Sequence, residues 1–212
     1  MGFSLENWNI ILPETLLEID KDRLKRLLFQ FFGSEHRKGE KKYDDFYLKS
    51  GPNYFLQGDI LKRINTLEWD YDNEKYIFTE KPTALLSNTC DVSEENQRLN
   101  QKQALFAPVI KLSDYIDSLK ELGANKEQID SALNNIKSQT YSNIFYLPPN
   151  PINGNDYIVF LDNIFWQPSN ILISKIAKIN DERFLCLNHF GFYLLITKLS
   201  YHFCRVPEEI DR

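Results

Sequence analysis

The hydrophobic period of this chain changes along its length, and no other feature constrains the fold as much. From about residue 55 the apolar residues alternate, in "FLQGDILKRI", "EKYIFTEKPTALLS" and "ALFAPVIKL", which is the period of strands. Between about 111 and 140 the period becomes helical. Leu112, Tyr115, Ile116, Leu119 and Leu122 form one stripe that stops at Gly123, and Ile129, Leu133 and Ile136 form a second. The strand pattern returns in "NIFYLPP", "YIVFLD" and "PSNILISKIAKI". The expectation is a mainly-β α+β fold: one bent antiparallel sheet over about 55–110 and 141–178, interrupted by a helical pair at about 111–140. Lys81-Pro82 is expected to separate two strands, and "SEENQRLNQK" reads as helical.

Both flanks of the sheet region are helical. Leu24, Leu27, Leu28, Phe31 and Phe32 recur at one helical face, with Pro13 able to open a turn, Asp20 a candidate cap and Gly33 a stop. The following "SEHRKGEKKYDDFYLKSG" answers Arg37, Lys38, Lys41 and Lys42 with Glu35, Glu40, Asp44 and Asp45, as a solvated hinge does. Residues 1–50 therefore form an N-terminal helical segment and hinge, and 51–212 the main domain. The chain closes with "NDERFLCLNHFGFYLLITKLSYHFCR", in which Asp181 can cap one helix longer than roughly five turns. Its apolar residues run almost all round, so burial on several sides is expected. Lys198, His202 and Arg205 share one face of it, either as a solvated stripe or as a site for an anion or an acidic partner.

Composition narrows the functional classes. The chain has 212 residues, 42% of them hydrophobic and 14% aromatic, which excludes disorder and allows a sizeable core. A net charge of −5 provides no global attraction to phosphate backbones, so nucleic-acid binding would need a local basic patch. Cys90, Cys186 and Cys204 have no zinc-ligand spacing, and their odd number suits a reducing cytoplasm; on one helix the last two would stand about 27 Å apart. The first twenty residues lack the pattern of a signal peptide, and no apolar run reaches membrane-spanning length. A cytoplasmic protein without metal, cofactor or membrane partner is the expectation.

The order "QGDILKRI", "EKPTALLSNTCD", "LFAPVIKL", "YIVFLDNIFWQPSNIL" and a terminal helix resembles the PemK/MazF-like toxin proteins, over roughly residues 56–204. The resemblance implies a strongly bent, SH3-like antiparallel barrel with helices packed on it. It also implies metal-independent cleavage of single-stranded RNA, an antitoxin or other protein partner, and room for a homodimer. Where the family commonly has an Arg-Pro pair this chain has Lys81-Pro82, and its later strand reads Ala107-Pro108-Val109 without a hydroxyl pair. The functional expectation is therefore double: a toxin-like protein that acts on or binds RNA, or an inactive barrel serving as a recognition or accessory subunit of a bacterial toxin-antitoxin or phage-defence system.

RNA cleavage without metal requires a base for the 2′-hydroxyl and a cation for the growing phosphate charge. The exit "SNTCD" offers Asp91 as base, Lys81 or Arg98 as phosphate clamp, and Ser87, Asn88 and Thr89 as positioning groups. Cys90 could be a nucleophile if His189 or His202 lay beside it. The plainer alternative has Ser87 and Thr89 capping the next helix and Cys90 buried as a small hydrophobe. Asp162 and Trp166 carry the same duality: a turn acid and a core aromatic, or, with Phe165, a platform for a stacked base.

Overall fold

The computed structural model describes residues 18–32, 46–70, 72–93 and 103–204. Its strands are β1 (Ile60–Asp70), β2 (Lys75–Leu85), β3 (Gln103–Lys111), β4 (Ile144–Leu147), β5 (Tyr157–Phe160), β6 (Phe165–Pro168) and β7 (Arg183–Leu185). All their ladders are antiparallel, in the order β4-β5-β3-β2-β1-β7, with β6 also on β3. Along one edge of β3, residues Gln103–Phe106 pair with β6 and Val109–Lys111 pair with β5. Pro108, which has no N–H to offer a ladder, stands at the changeover. The sheet curls without closing. β6 meets β1 through a side chain, Gln167 Nε2 donating to the Asn65 carbonyl at 2.9 Å, rather than through a ladder.

The helices are α1 (Glu18–Phe32), α2 (Thr89–Val92), α3 (Leu112–Glu121), α4 (Lys126–Lys137), α5 (Asn170–Ile176), α6 (Ile179–Glu182) and α7 (His189–Cys204). One face of the sheet packs on α7: Ile60, Ala84, Val109, Phe145 and Leu185 share a cluster with Phe190, Leu194 and Leu195, and Leu24 of α1 joins them. The other face carries two smaller clusters. Leu61, Ile64, Leu85 and Phe106 meet Leu172 of α5 and Ile179 of α6, while Ile144, Tyr146 and Ile158 meet Leu112, Ile116 and Ile136 of the α3–α4 pair. β4 thus feeds both faces, which explains why all its residues are buried. The inserted helical pair falls where the stripes placed it, with Gly123 at φ +87° ending α3 and a reciprocal Asn125–Gln128 capping box opening α4.

Several sequence expectations are corrected. Lys81-Pro82 does not divide two strands; β2 runs through it. Opposite Pro82 the register shifts, so that Lys62 and Arg63 oppose one residue, a bulge that absorbs the missing N–H. "NILISKI" is α5, not strand, because Leu172 and Ile176, at i and i+4, both face the second cluster. The terminal segment is not one helix. Arg183–Leu185 pairs with Ile60–Leu61 of β1, and α7 begins only after Asn188, whose Oδ1 accepts the Gly191 N–H at 2.9 Å as its cap. Cys186 therefore lies outside α7, and Asp181 lies within α6. Asp20 sits inside α1, paired with Arg23, and does not cap it. Of "SEENQRLNQK", only Ser93 is described, after the single turn of α2. The basic hinge residues 37–42, and the side chains of Leu27, Leu28, Phe31 and Phe32, lie outside the described residues.

Candidate functional site

At the end of β2 the polar residues of "SNTCD" replace ladder partners as the strand leaves the sheet. The Leu86 N–H still reaches the Leu105 carbonyl at 2.8 Å. One residue on, Ser87 Oγ accepts the Leu105 N–H at 2.8 Å. Asn88 Oδ1 accepts the Cys90 N–H at 2.9 Å and caps α2. Thr89 Oγ1 turns to the neighbouring loop and accepts the Gln57 N–H at 3.0 Å, while Gln57 Nε2 donates to the Leu86 carbonyl at 2.6 Å. The capping expectation is thus right in kind and wrong in residue: Asn88 caps, and Ser87 and Thr89 hold the exit to β3 and to the 55–58 loop. Cys90 and Asp91 are exposed, so Cys90 is not a buried hydrophobe.

The expected catalytic groups do not gather here. Lys81 lies six residues upstream on extended backbone, about 20 Å from Ser87, and is ion-paired with Glu68 across the ribbon. Arg98 and Arg205 lie outside the described residues. α2 leans through Val92 on the second cluster, whereas α7, which carries His189 and His202, packs on the opposite face of the sheet. The thiol and the imidazoles are therefore on different sides of the molecule. Asp162 accepts from Asn143 Nδ2 at 2.9 Å, and the Asn143 carbonyl accepts the Leu161 N–H at 2.8 Å, so this acid holds a turn. Lys198 is not on a solvated stripe. It is fully buried, its Nζ 3.0 Å from the Gln139 carbonyl and 2.9 Å from Gln139 Oε1, while His202 is half-buried against Phe203.

What the exit does position is an aromatic surface. Trp166 is the register partner of Leu105, the residue whose N–H and carbonyl engage Ser87 and Leu86. Phe165 points inward, stacked on Phe106 at 5.8 Å, so by alternation Trp166 points out. Trp166 is 56% exposed and Leu105 43%. Core packing, the plainer expectation for Trp166, does not hold. Gln167, beside it, reaches Asn65, and two residues before Asn65 Arg63 lies 3.5 Å from Glu182, which also holds Lys175 at 2.7 Å. Burial alone would raise the Glu182 pKa, but the Lys175 hydrogen bond and the charges of Lys175, Arg63 and Lys62 hold it below the usual glutamate value.

A second polar cluster, which no expectation from the sequence named, is buried beside the exit of β2, where the Leu85 N–H donates to the Asp59 carbonyl at 2.9 Å. Asp59 is fully buried; its Oδ2 accepts from Arg183 Nε at 2.8 Å and from the Leu56 N–H at 2.9 Å. Arg183 also donates from Nη1 to the Pro52 carbonyl at 2.9 Å and from Nη2 to the Tyr54 carbonyl. Burial pushes the Asp59 pKa up while the guanidinium pulls it down, and burial with the nearby Asp59 pushes the Cys186 thiol well above its ordinary range. A thiol so placed is inert. The signal in the sequence was Gly58-Asp59: Gly58, at φ +91°, lets the chain turn where an added Cβ would stand 3.0 Å from Leu187 Cδ1. Among the described residues no His, Cys, Asp or Glu group could hold a metal, and no helix is long and apolar enough to cross a membrane. The chain matches no protein-family model and no curated protein at a significant level.

Proposed function

We propose that the protein acts by recognition: a PemK/MazF-like, SH3-related scaffold whose ancestral catalytic positions serve the fold, and which contacts a protein partner as a recognition or accessory subunit. The observation that carries this reading is Trp166, 56% exposed on a strand whose neighbours are fixed by the Ser87 and Leu86 bonds to Leu105. An exposed tryptophan on rigid backbone costs little entropy to engage, which is why such residues anchor interfaces. Lys81, held by Glu68 far from Asp91, supports the loss of cleavage.

A second reading, binding of single-stranded RNA, has one observation in its favour. Lys62, Arg63 and Lys175 surround the single carboxylate of Glu182, close to the strand that presents Trp166, and bases stack on exposed aromatics beside cations. The experiment is to mix the protein with fluorescein-labelled single-stranded RNA in EDTA, following cleavage on gels and binding by anisotropy. Recognition of protein predicts neither. Binding without cleavage, lost in both Trp166→Ala and Arg63→Glu, would establish the RNA reading. Cleavage that falls by roughly 10²–10⁴-fold in Asp91→Asn would overturn both and restore the enzyme.

A further inference from the structure

Beyond the bulge at Pro82, β1 and β2 leave the sheet together as a two-stranded arm. Among the described residues, β3 accompanies β2 only along Thr83–Leu85, and β7 accompanies β1 only along Ile60–Leu61, whereas the β1–β2 ladder continues from Ile64↔Lys81 to Asp70↔Lys75. Two strands alone are marginal in water. The arm also turns the usual pattern inside out. Thr66 is buried, its hydroxyl 2.8 Å from that of Thr79, while the outer face shows Leu67, Tyr76 and Phe78 at 53%, 65% and 75% exposure. Leu67 and Phe78 are direct register partners and Tyr76 is two residues from Phe78 on the same face, so the three form one patch. Natural sheets rarely leave such a ribbon bare.

Charge selects what can cover it. From Ile64 to Lys81 the arm carries Glu68, Asp70, Asp72, Glu74 and Glu80 against Lys75 and Lys81, a net of −3 in a chain of −5. Asp72 and Glu74 are exposed in the connecting turn. Glu74 sits at φ +48°, and Asp70 accepts from the N–H groups of Asp72 and Asn73, so the turn that displays these acids has a fixed shape. Like charge disfavours RNA, an anionic membrane and a second copy docking arm to arm. We propose that the arm is the docking site of a basic protein segment in extended conformation, which adds a strand to the open edge of β2, rests alternate apolar residues on Leu67, Tyr76 and Phe78, and places lysines or arginines at Asp72 and Glu74. Backbone pairing gives such an interaction its affinity and the side-chain alternation its selectivity. This surface lies further along β1 than Asn65, where Gln167 of the Trp166 strand makes contact, and either can be right without the other.

The test uses the full chain and a short fluorescein-labelled peptide of alternating lysine and valine, with alternating glutamate and valine as control, read by anisotropy. The expected result is saturable, salt-sensitive binding of the lysine peptide alone. Phe78→Ser, Leu67→Thr and the double change Asp72→Asn/Glu74→Gln should each weaken it by about tenfold or more, as hot-spot truncations do, with melting temperatures unchanged. Equal binding of both peptides, no binding of either, or indifference to Phe78→Ser overturns the proposal. So does a dimer by sedimentation that Phe78→Ser dissolves, or binding of a labelled uridine oligomer that Phe78→Ser abolishes. Loss of peptide binding in Trp166→Ala but not in Phe78→Ser removes the arm and leaves the Trp166 surface standing.

Discussion

Replacing Arg183 with methionine tests the energetics of the fold at its most constrained point. The change leaves a fully buried Asp59 carboxylate without its cation and strips donors from the Pro52 and Tyr54 carbonyls. Removing one partner of a buried pair costs about 3–5 kcal/mol, and orphaned acceptors add about 1–3 kcal/mol each where water cannot reach them. These terms overlap, so the expected loss is about 3–6 kcal/mol, or roughly 6–24 °C in melting temperature for a chain of this size. Urea titration at pH 7 measures it. The pH dependence gives a second, signed readout. Without the guanidinium, burial dominates and lifts the folded-state pKa of Asp59 further above its unfolded value. The variant is then most stable below the ordinary carboxylate pKa and loses stability as pH rises through the raised one. Asp59→Leu in the same chain should recover most of the loss, because a buried pair exchanged for apolar groups is often neutral. A loss in Arg183→Met below about 1 kcal/mol, or one that Asp59→Leu deepens, refutes the assignment of the pair as a buried clasp.

Two further outcomes follow from named bonds. Glu182, held below its usual pKa by Lys175, Arg63 and Lys62, contributes stability above the ordinary glutamate pKa of 4.5 and loses it as pH falls below that value. Glu182→Gln should therefore flatten the acid limb of the stability curve, and an unchanged limb in denaturant titrations would show the cluster to be idle. Gln139→Leu removes the amide that donates to the Tyr146 carbonyl, accepts its N–H and accepts from buried Lys198. It should cost at least about 2 kcal/mol, and Lys198→Met in the same chain should return part of that in a double-mutant cycle.

The parts of this fold that were legible in the sequence are those whose information is local. The α3–α4 pair shows in its stripes because Leu112, Ile116 and Ile136 need only one neighbouring surface, and Gly123 and Asn125 punctuate it. Residues 170–188 are ambiguous in the sequence because "ILISKI" fits both periods, and because "RFL" is a strand only by virtue of Ile60 and Asp59, which lie far away in the chain. The site divides in the same way. That "SNTCD" leaves a strand was visible. That its hydroxyls belong to Leu105 and Gln57 was not, since those partners sit on other elements. Lys198 reads as exposed because a lysine on a helix normally is. Its burial depends on Gln139, a non-glycine residue at φ +62° whose carbonyl and amide both turn toward it.

The Asp59–Arg183 clasp spans 124 residues of chain, and that separation bears on the order of events during synthesis. At roughly 5–20 residues per second, Arg183 follows Asp59 out of the ribosome after ~6–25 s. The β1–β2 hairpin, whose contacts are close in sequence, forms far sooner. For those seconds the nascent chain carries a β1 edge without β7 and a Gly-Asp turn whose carboxylate must remain in water. Residues 183–195 thus complete a structure that has been waiting for them, and a ribosome stalled before this point would display Ile60 and Leu61, the β1 residues on which β7 later docks, as a sticky, unfinished edge.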